Sequence, residues 1–376
     1  MAGSLRALKN VLEIGALLIA PVVLTLLVLA MAVHEHYAFD FRGSLWQASR
    51  AVLHFENPYP PATASGIAVG NQFVYPPPIA VLFLPFGLLP FPVAAALITI
   101  VLIAAVALTI RALGVRDWRC YGAAYLSIAV IHDLRLGAIT PLLALGLALT
   151  WRWRDQARSA ITFALIVVAK LFLWPLAFWL VATGRTRVAV RGAALAIGAT
   201  LVAWAAIGFA GLVEYPSLLR VLAEVEDPRG YSVTAGALWL GGSPLIAEAI
   251  AGGVGTVLLA LCWLEGQRGN DERSLTIALA ASLALSPIVW LHYFILVIVP
   301  IALARRTFSA LWLVPVLFWI TPYEEHFGEH WRIAAGLGVG ALAIGYSYLG
   351  MAVTTARDRA YPDLLGTDRA AVYARS

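Results

Sequence analysis

Four side chains in this 376-residue chain could do chemistry that their neighbours could not: Asp40, Arg135, Lys170 and His292. Asp40 stands in Tyr37-Ala38-Phe39-Asp40-Phe41, and a carboxylate fixed beside a hydroxyl can take its proton as a general base. The position also suits a helix N-cap, because apolar Phe41, Leu45, Ala48 and Val52 follow at helical spacing; the two roles are compatible. Lys170, one of only two lysines, interrupts a long apolar run. A cation at such depth costs about 2.5–3.5 kcal/mol on insertion scales, which makes it a functional candidate with an anionic phosphate as natural partner. The structural alternative is a stem that snorkels to the headgroups. Arg135 admits the same two readings in a more polar turn. His292 follows Ser286-Pro287 and Trp290; it could donate to a phosphate or a sugar hydroxyl, or be a satisfied core histidine. A carboxylate at the mouth of so apolar a chain points to surface chemistry on a lipid-borne substrate.

Other constellations carry less. His326 and His330, among Glu324, Glu325 and Glu329, have a His-x-x-x-His spacing that can hold a metal. The order is not His-Glu-x-x-His and the segment reads as a solvated loop, so no metal is assigned. The chain has no phosphate-cradling glycine loop, no Gly-x-Ser-x-Gly elbow and no nucleotide fingerprint. Cys120 and Cys262 sit beside or within apolar segments, as buried thiols rather than a disulfide framework or zinc site.

The elements that must position these residues are membrane helices. Hydrophobic residues make up 61% of the chain and charged ones 12%, with a mean hydropathy of +0.84. That charged share is about half of what soluble domains carry. The net charge of +5 does not mark a nucleic-acid binder, since the basic residues come in twos and threes between apolar runs. Val11 to Val33 is longer than a signal-peptide core and reads as an uncleaved first helix. Placing the basic loops in the cytoplasm groups those around Arg111 to Arg119, Arg152 to Arg158, Arg185 to Arg191, Arg268 to Arg273 and Arg305-Arg306, with both termini. The acidic or mixed loops fall outside, and about twelve crossings result.

Three pairs of runs are too short to cross: Tyr121 to Ile131 with Ile139 to Thr150, Ile161 to Ala169 with Leu171 to Val181, and Ser274 to Leu285 with Val289 to Ala304. A helix of about 12 residues rises only about 18 Å against a core of about 30 Å. Their turns carry Asp133 and Arg135, Lys170, and Ser286 to His292, which fits backbone breaks that line a wet cavity. Pro76, Pro77, Pro78, Pro85, Pro90 and Pro92 predict a broken, partly re-entrant element leading into a helix over 93–110.

Taken in order, these pieces resemble glycosyltransferase family 87, integral membrane enzymes of the GT-C fold that use polyprenyl-phosphate sugars. The matching residues are Asp40 followed by an amphipathic stretch to Asn57-Pro58-Tyr59; Tyr75-Pro76-Pro77 leading to Leu84-Pro85; Lys170 with Pro175; and Ser286-Pro287, Trp290, His292-Tyr293 and Pro300. The family often has Gly-Gln in the turn that here reads Leu136-Gly137-Ala138-Ile139-Thr140, which leaves donor and acceptor identity open.

The resemblance implies an all-α polytopic membrane bundle over residues 1–353, with the first extracytoplasmic loop at 34–78 and a cytoplasmic tail at 354–376. It implies inverting transfer of a sugar, mannose first, from a polyprenyl-phosphate donor to a hydroxyl of a lipid-linked or glycan acceptor at the extracytoplasmic face of the plasma membrane. Asp40 would be the catalytic base, Lys170, His292 and Arg135 would hold the phosphate, and Tyr75 would shape the pocket. Neither metal nor cofactor is required if side-chain cations neutralise the phosphate. Arabinofuranosyl transfer is the nearest alternative; a lipid or sugar transporter is the alternative from another class.

Overall fold

The computed structural model describes residues 2–32, 37–68, 72–321 and 330–360, and every regular element among them is helical. Five helices are long and apolar enough to cross a membrane: Leu8–Ala32, Phe91–Ala112, Thr186–Ala206, Pro244–Gln267 and His330–Met351. A sixth is available if Ile128–Leu136 and Thr140–Arg152, bent by 117° at their junction, count as one span. The remaining apolar helices are half-length, among them Arg158–Ala169, Leu171–Ala182 and Leu291–Ala304.

Two of the three expected breaks occur as placed, at Lys170 and at Ser286 to Trp290. In the first pair the expected run Tyr121 to Ile131 is itself interrupted at Leu126 and Ser127, and Asp133 and Arg135, expected in a turn, lie inside the helix Ile128–Leu136. Gly137 ends Ile128–Leu136 in a left-handed conformation, φ +70°, which a glycine adopts without a Cβ penalty. Lys170 is extended, φ −147° and ψ 106°, and separates Arg158–Ala169 from a 3₁₀ turn at Leu171–Leu173. Ser286 to Trp290 is non-helical and leads into Leu291–Val297, again 3₁₀. The proline-rich stretch resolves into two short helices, Pro77–Leu82 and Leu84–Gly87, before Phe91–Ala112. In each, proline sits in the first turn, where its missing N–H has no helical acceptor to satisfy.

The loops grouped by their arginines meet at one end of the bundle. Glu13 of the first helix pairs with Arg119 at 3.6 Å, and Asp117 accepts the Phe308 amide at 2.9 Å. Arg152 donates to the Ala112 carbonyl at 3.2 Å, while Arg154 and Arg185 reach Asp271 at 2.8 and 2.9 Å. At the other ends of the same helices, Tyr59 and Tyr215 donate to the carbonyls of Tyr75 and Val74 at 3.0 and 3.1 Å. Tyr231 donates its amide to Val289 and its hydroxyl to Thr321, each at 2.6 Å.

The amphipathic segment after Asp40 begins as a π-helical turn, Phe41–Trp46, and continues as Gln47–Leu53. Phe41, Leu45 and Ala48 are buried, as their spacing predicts. Phe41 is enclosed by Phe83, Phe86 and Phe91, with ring centroids 5.7–6.5 Å away. Of the histidine and glutamate cluster, Glu324, Glu325, His326 and Glu329 lie outside the described residues, as do His34 to His36 and 361–376 of the expected tail.

Candidate active site

A cavity of about 230 Å³ opens where the proline segment, the Lys170 break and the Ser286–Trp290 break converge. Asp40, Tyr75, Lys170 and His292 all line it. Four distant segments thus deliver a carboxylate, a phenol, an ammonium and an imidazole to one space.

Lys170 owes its position to the extended backbone that interrupts its helix, which turns the side chain off the helical face. Its Nζ donates to the Tyr293 hydroxyl at 2.6 Å and stands 4.6 Å from the ring centroids of both Tyr75 and Tyr293. Two aromatic faces and a phenol oxygen stabilise a cation without cancelling its charge. Among the described residues no carboxylate lies within ion-pairing distance of it. The ammonium is therefore held in the cavity wall with capacity for an anion, rather than reaching outward as a snorkelling stem would.

Asp40 is half-buried at the cavity, within electrostatic reach of Tyr75 and of Asp133. Its backbone is already helical, φ −63° and ψ −44°, and its side chain makes no capping hydrogen bond. Asp40 therefore lies within the first helical turn, not at the N-cap that its position suggested.

His292 is 4% exposed, and its Nδ1 has no hydrogen-bond partner among the described residues. Its ring lies nearly parallel to that of His132 at 6.3 Å and edge-on to Tyr293 at 5.0 Å. Arg135 does not line the cavity; it belongs to the helix end beneath Asp40, and its carbonyl accepts the Ala38 N–H at 2.7 Å. Three of the four charged or basic candidates are therefore brought together with Tyr75, and Arg135 is set apart from them.

Tyr75 is fixed through its backbone. Its carbonyl accepts the Tyr59 hydroxyl, and Tyr59 stacks on Trp204 at 5.1 Å and 19°. Tyr215 meets both rings edge-on and anchors Val74, so an aromatic cluster supports the loop from behind. Burial and, secondarily, the neighbouring Tyr215 push the Tyr59 hydroxyl far above its ordinary range, so it acts as a neutral donor.

Several contributors were given no individual role from the sequence. Tyr293 holds Lys170, yet its only sequence signal is adjacency to His292. Phe172 stacks flat on Tyr293 at 5.1 Å and 6°, while Glu226 lines the cavity from the helix Tyr215–Glu226. Asp133 is fully buried, and neither carboxylate oxygen has a partner within hydrogen-bond geometry among the described residues. Thr140, across the bend, is close enough to influence it but short of that geometry.

The profile of Glycosyltransferase family 87 matches residues 73–291, more than half of the chain. Tyr75, Arg135 and Lys170 fall within the matched span; Asp40 precedes it and His292 lies one position beyond. No curated protein and no solved structure matches the chain. With that match over more than half of its length and several helices of membrane length, the chain belongs to glycosyltransferase family 87 and is a multi-pass membrane glycosyltransferase.

Proposed function

We propose that the chain moves mannose from a polyprenyl-phosphate donor to a hydroxyl of a lipid-linked or glycan acceptor, with inversion, at the extracytoplasmic face of the plasma membrane. The observation that carries this reading is the single cavity shared by Asp40, Lys170, Tyr75 and His292. Asp40 takes the hydroxyl proton as the acceptor oxygen attacks C1 of the sugar. The C1–O bond to phosphate breaks, and the lipid phosphate leaves with the electron pair. That leaving group is already a stable anion, so it needs charge stabilisation more than a proton. Lys170 supplies the charge, the His292 imidazole donates a hydrogen bond, and Tyr75 with Tyr293 shapes the pocket around them. Side-chain cations suffice for this step without a metal or other cofactor.

Topology follows the basic loops: both termini cytoplasmic, and the cavity on the opposite face. In this reading residues 1–353 form one GT-C membrane domain and 354–376 the tail. The half-length helices pair into further passages, approaching about twelve crossings, and the lipid tail enters laterally between them.

One observation favours a second assignment of the base. The buried, unpartnered Nδ1 of His292 could itself accept the proton. Loss of turnover in Asp40→Asn with retention in His292→Gln supports the carboxylate; the reverse pattern supports the imidazole. The whole reading is tested by incubating purified protein with a panel of radiolabelled polyprenyl-phosphate sugars and membrane lipid acceptors. Mannosyl transfer is the expected result. Arabinofuranosyl transfer alone would move the donor assignment, and donor translocation without transfer would indicate a transporter.

A further inference from the structure

Two residues before Asp40 the backbone adopts a conformation that its residue type resists. Ala38 has φ +53°, in the left-handed region that costs a residue with a Cβ and persists only where the surroundings enforce it. The enforcing contacts come from the end of the helix Ile128–Leu136. The Ala38 N–H donates to the Arg135 carbonyl at 2.7 Å, and the Ala38 carbonyl accepts the Arg42 N–H at 2.8 Å. Gly137, the left-handed residue that terminates that helix, packs directly on the same turn. A Cβ added at Gly137 would lie 2.8 Å from the Phe41 Cβ and 3.4 Å from the Ala38 Cα. Phe41 cannot retreat, because it is fully buried and enclosed by Phe83, Phe86 and Phe91.

From this geometry we infer that the Arg135 carbonyl, Ala38 and Gly137 form a latch that sets the position of Asp40, with Ala38 and Gly137 as positioning residues. The inference rests on the assignment of Asp40 as the base. It gives Arg135 a different task from phosphate binding: its main chain, through Ala38, orients the carboxylate. Asp40 lies between the two latched residues Ala38 and Phe41, so displacement of either carries it along. The turn is closed on one side by a glycine and on the other by three aromatic rings, which leaves it one register.

Gly137→Ala must push Phe41 by roughly half an ångström or more to restore normal carbon–carbon separation. Because small misplacements of a reacting group are costly, kcat falls about 10–100-fold. The donor KM holds within about twofold, since the cage around Lys170 is untouched and binding geometry there is unaltered. Ala38→Val, β-branched and disfavoured in the left-handed region, loses kcat to a similar degree. Ala38→Gly, the conservative variant that adopts this φ freely, keeps kcat within about threefold. If Gly137→Ala does not fold, the Ala38 pair carries the test. The Gly137→Ala loss should vanish in an Asp40→Asn background, because both act through one carboxylate.

Wild-type kcat in Gly137→Ala beside a strongly impaired Asp40→Asn would overturn the latch alone. A Gly137→Ala loss of equal size in both backgrounds would also overturn it. Near-normal turnover in Asp40→Asn would remove the base assignment on which the latch depends. A rise in donor KM with kcat unchanged would make the turn part of the binding wall instead.

Discussion

Replacing Lys170 with Met keeps the unbranched stem and removes the charge. In the present structure the ammonium is satisfied by one hydroxyl at 2.6 Å and by two ring faces at 4.6 Å. A phosphate oxygen entering the cavity would meet it as a charge-assisted partner. At about 4 Å and an effective dielectric of about 20, the bare attraction is about 4 kcal/mol. Part of that is lost to desolvation and to competition from the tyrosines, so the net worth approaches the measured range for hydrogen bonds to charged groups, about 1.5–3 kcal/mol. At about 1.4 kcal/mol per tenfold, the donor KM should rise about 10–150-fold in Lys170→Met. The assay is initial-rate transfer from a radiolabelled polyprenyl-phosphate sugar in detergent or nanodiscs, with donor concentration varied. Tyr293→Phe, which keeps the ring and deletes the hydroxyl that competes for the ammonium, should change the donor KM far less than Lys170→Met does. A donor KM within about twofold of wild type in Lys170→Met would refute the reasoning. It would make Lys170 a strut between Tyr75 and Tyr293, with the phosphate bound elsewhere.

Two further predictions concern the scaffold. A Cβ at Gly122 would fall 1.8 Å from the Leu17 carbonyl oxygen, so Gly122→Ala must displace the first helix. It should destabilise by about 1–3 kcal/mol, read as a lower thermal midpoint in detergent; an unchanged midpoint would contradict the observed approach. At the basic end, Arg119 grips both oxygens of Asp117 at 3.0 and 2.9 Å, and the Phe308 and Arg119 amides add to the hold. These contacts, Arg119 first, hold the Asp117 carboxyl down at about 2 against an ordinary 3.8, with burial opposing them. A carboxyl depressed on folding stabilises above its unfolded value, and that contribution is lost as pH falls from about 4 towards 2. Asp117→Asn should therefore flatten the acid side of the thermal-midpoint profile over that window, and a profile that still falls as steeply would contradict it.

Local pattern was legible where it reflects chain length and proline chemistry. Runs of about a dozen apolar residues told of breaks near Gly137, Lys170 and Ser286, because neither half could span alone. The prolines from Pro76 to Pro92 pointed to a broken element, and the chain there divides into Pro77–Leu82 and Leu84–Gly87, each with proline in its first turn. Arginine positions grouped the loops that Asp271, Asp117 and Glu13 now tie together. Pairings across the fold were not legible. Tyr293 meets Lys170 over a separation of 123 residues, and no periodicity encodes that. Arg135 drew attention as a cation, whereas the contact seen for the turn is made by its carbonyl, which any residue type would supply. Asp40 satisfied the composition of an N-cap without adopting its geometry, because the helix already begins at Phe39.

The central claim is that one carboxylate takes a proton at the moment of sugar transfer while a caged lysine holds the departing phosphate. It is tested most directly by the single-turnover rate of Asp40→Asn at saturating donor. The account predicts a fall of about 10²–10⁴-fold, the usual worth of a positioned base, with donor binding unchanged. A rate within about threefold of wild type would contradict it.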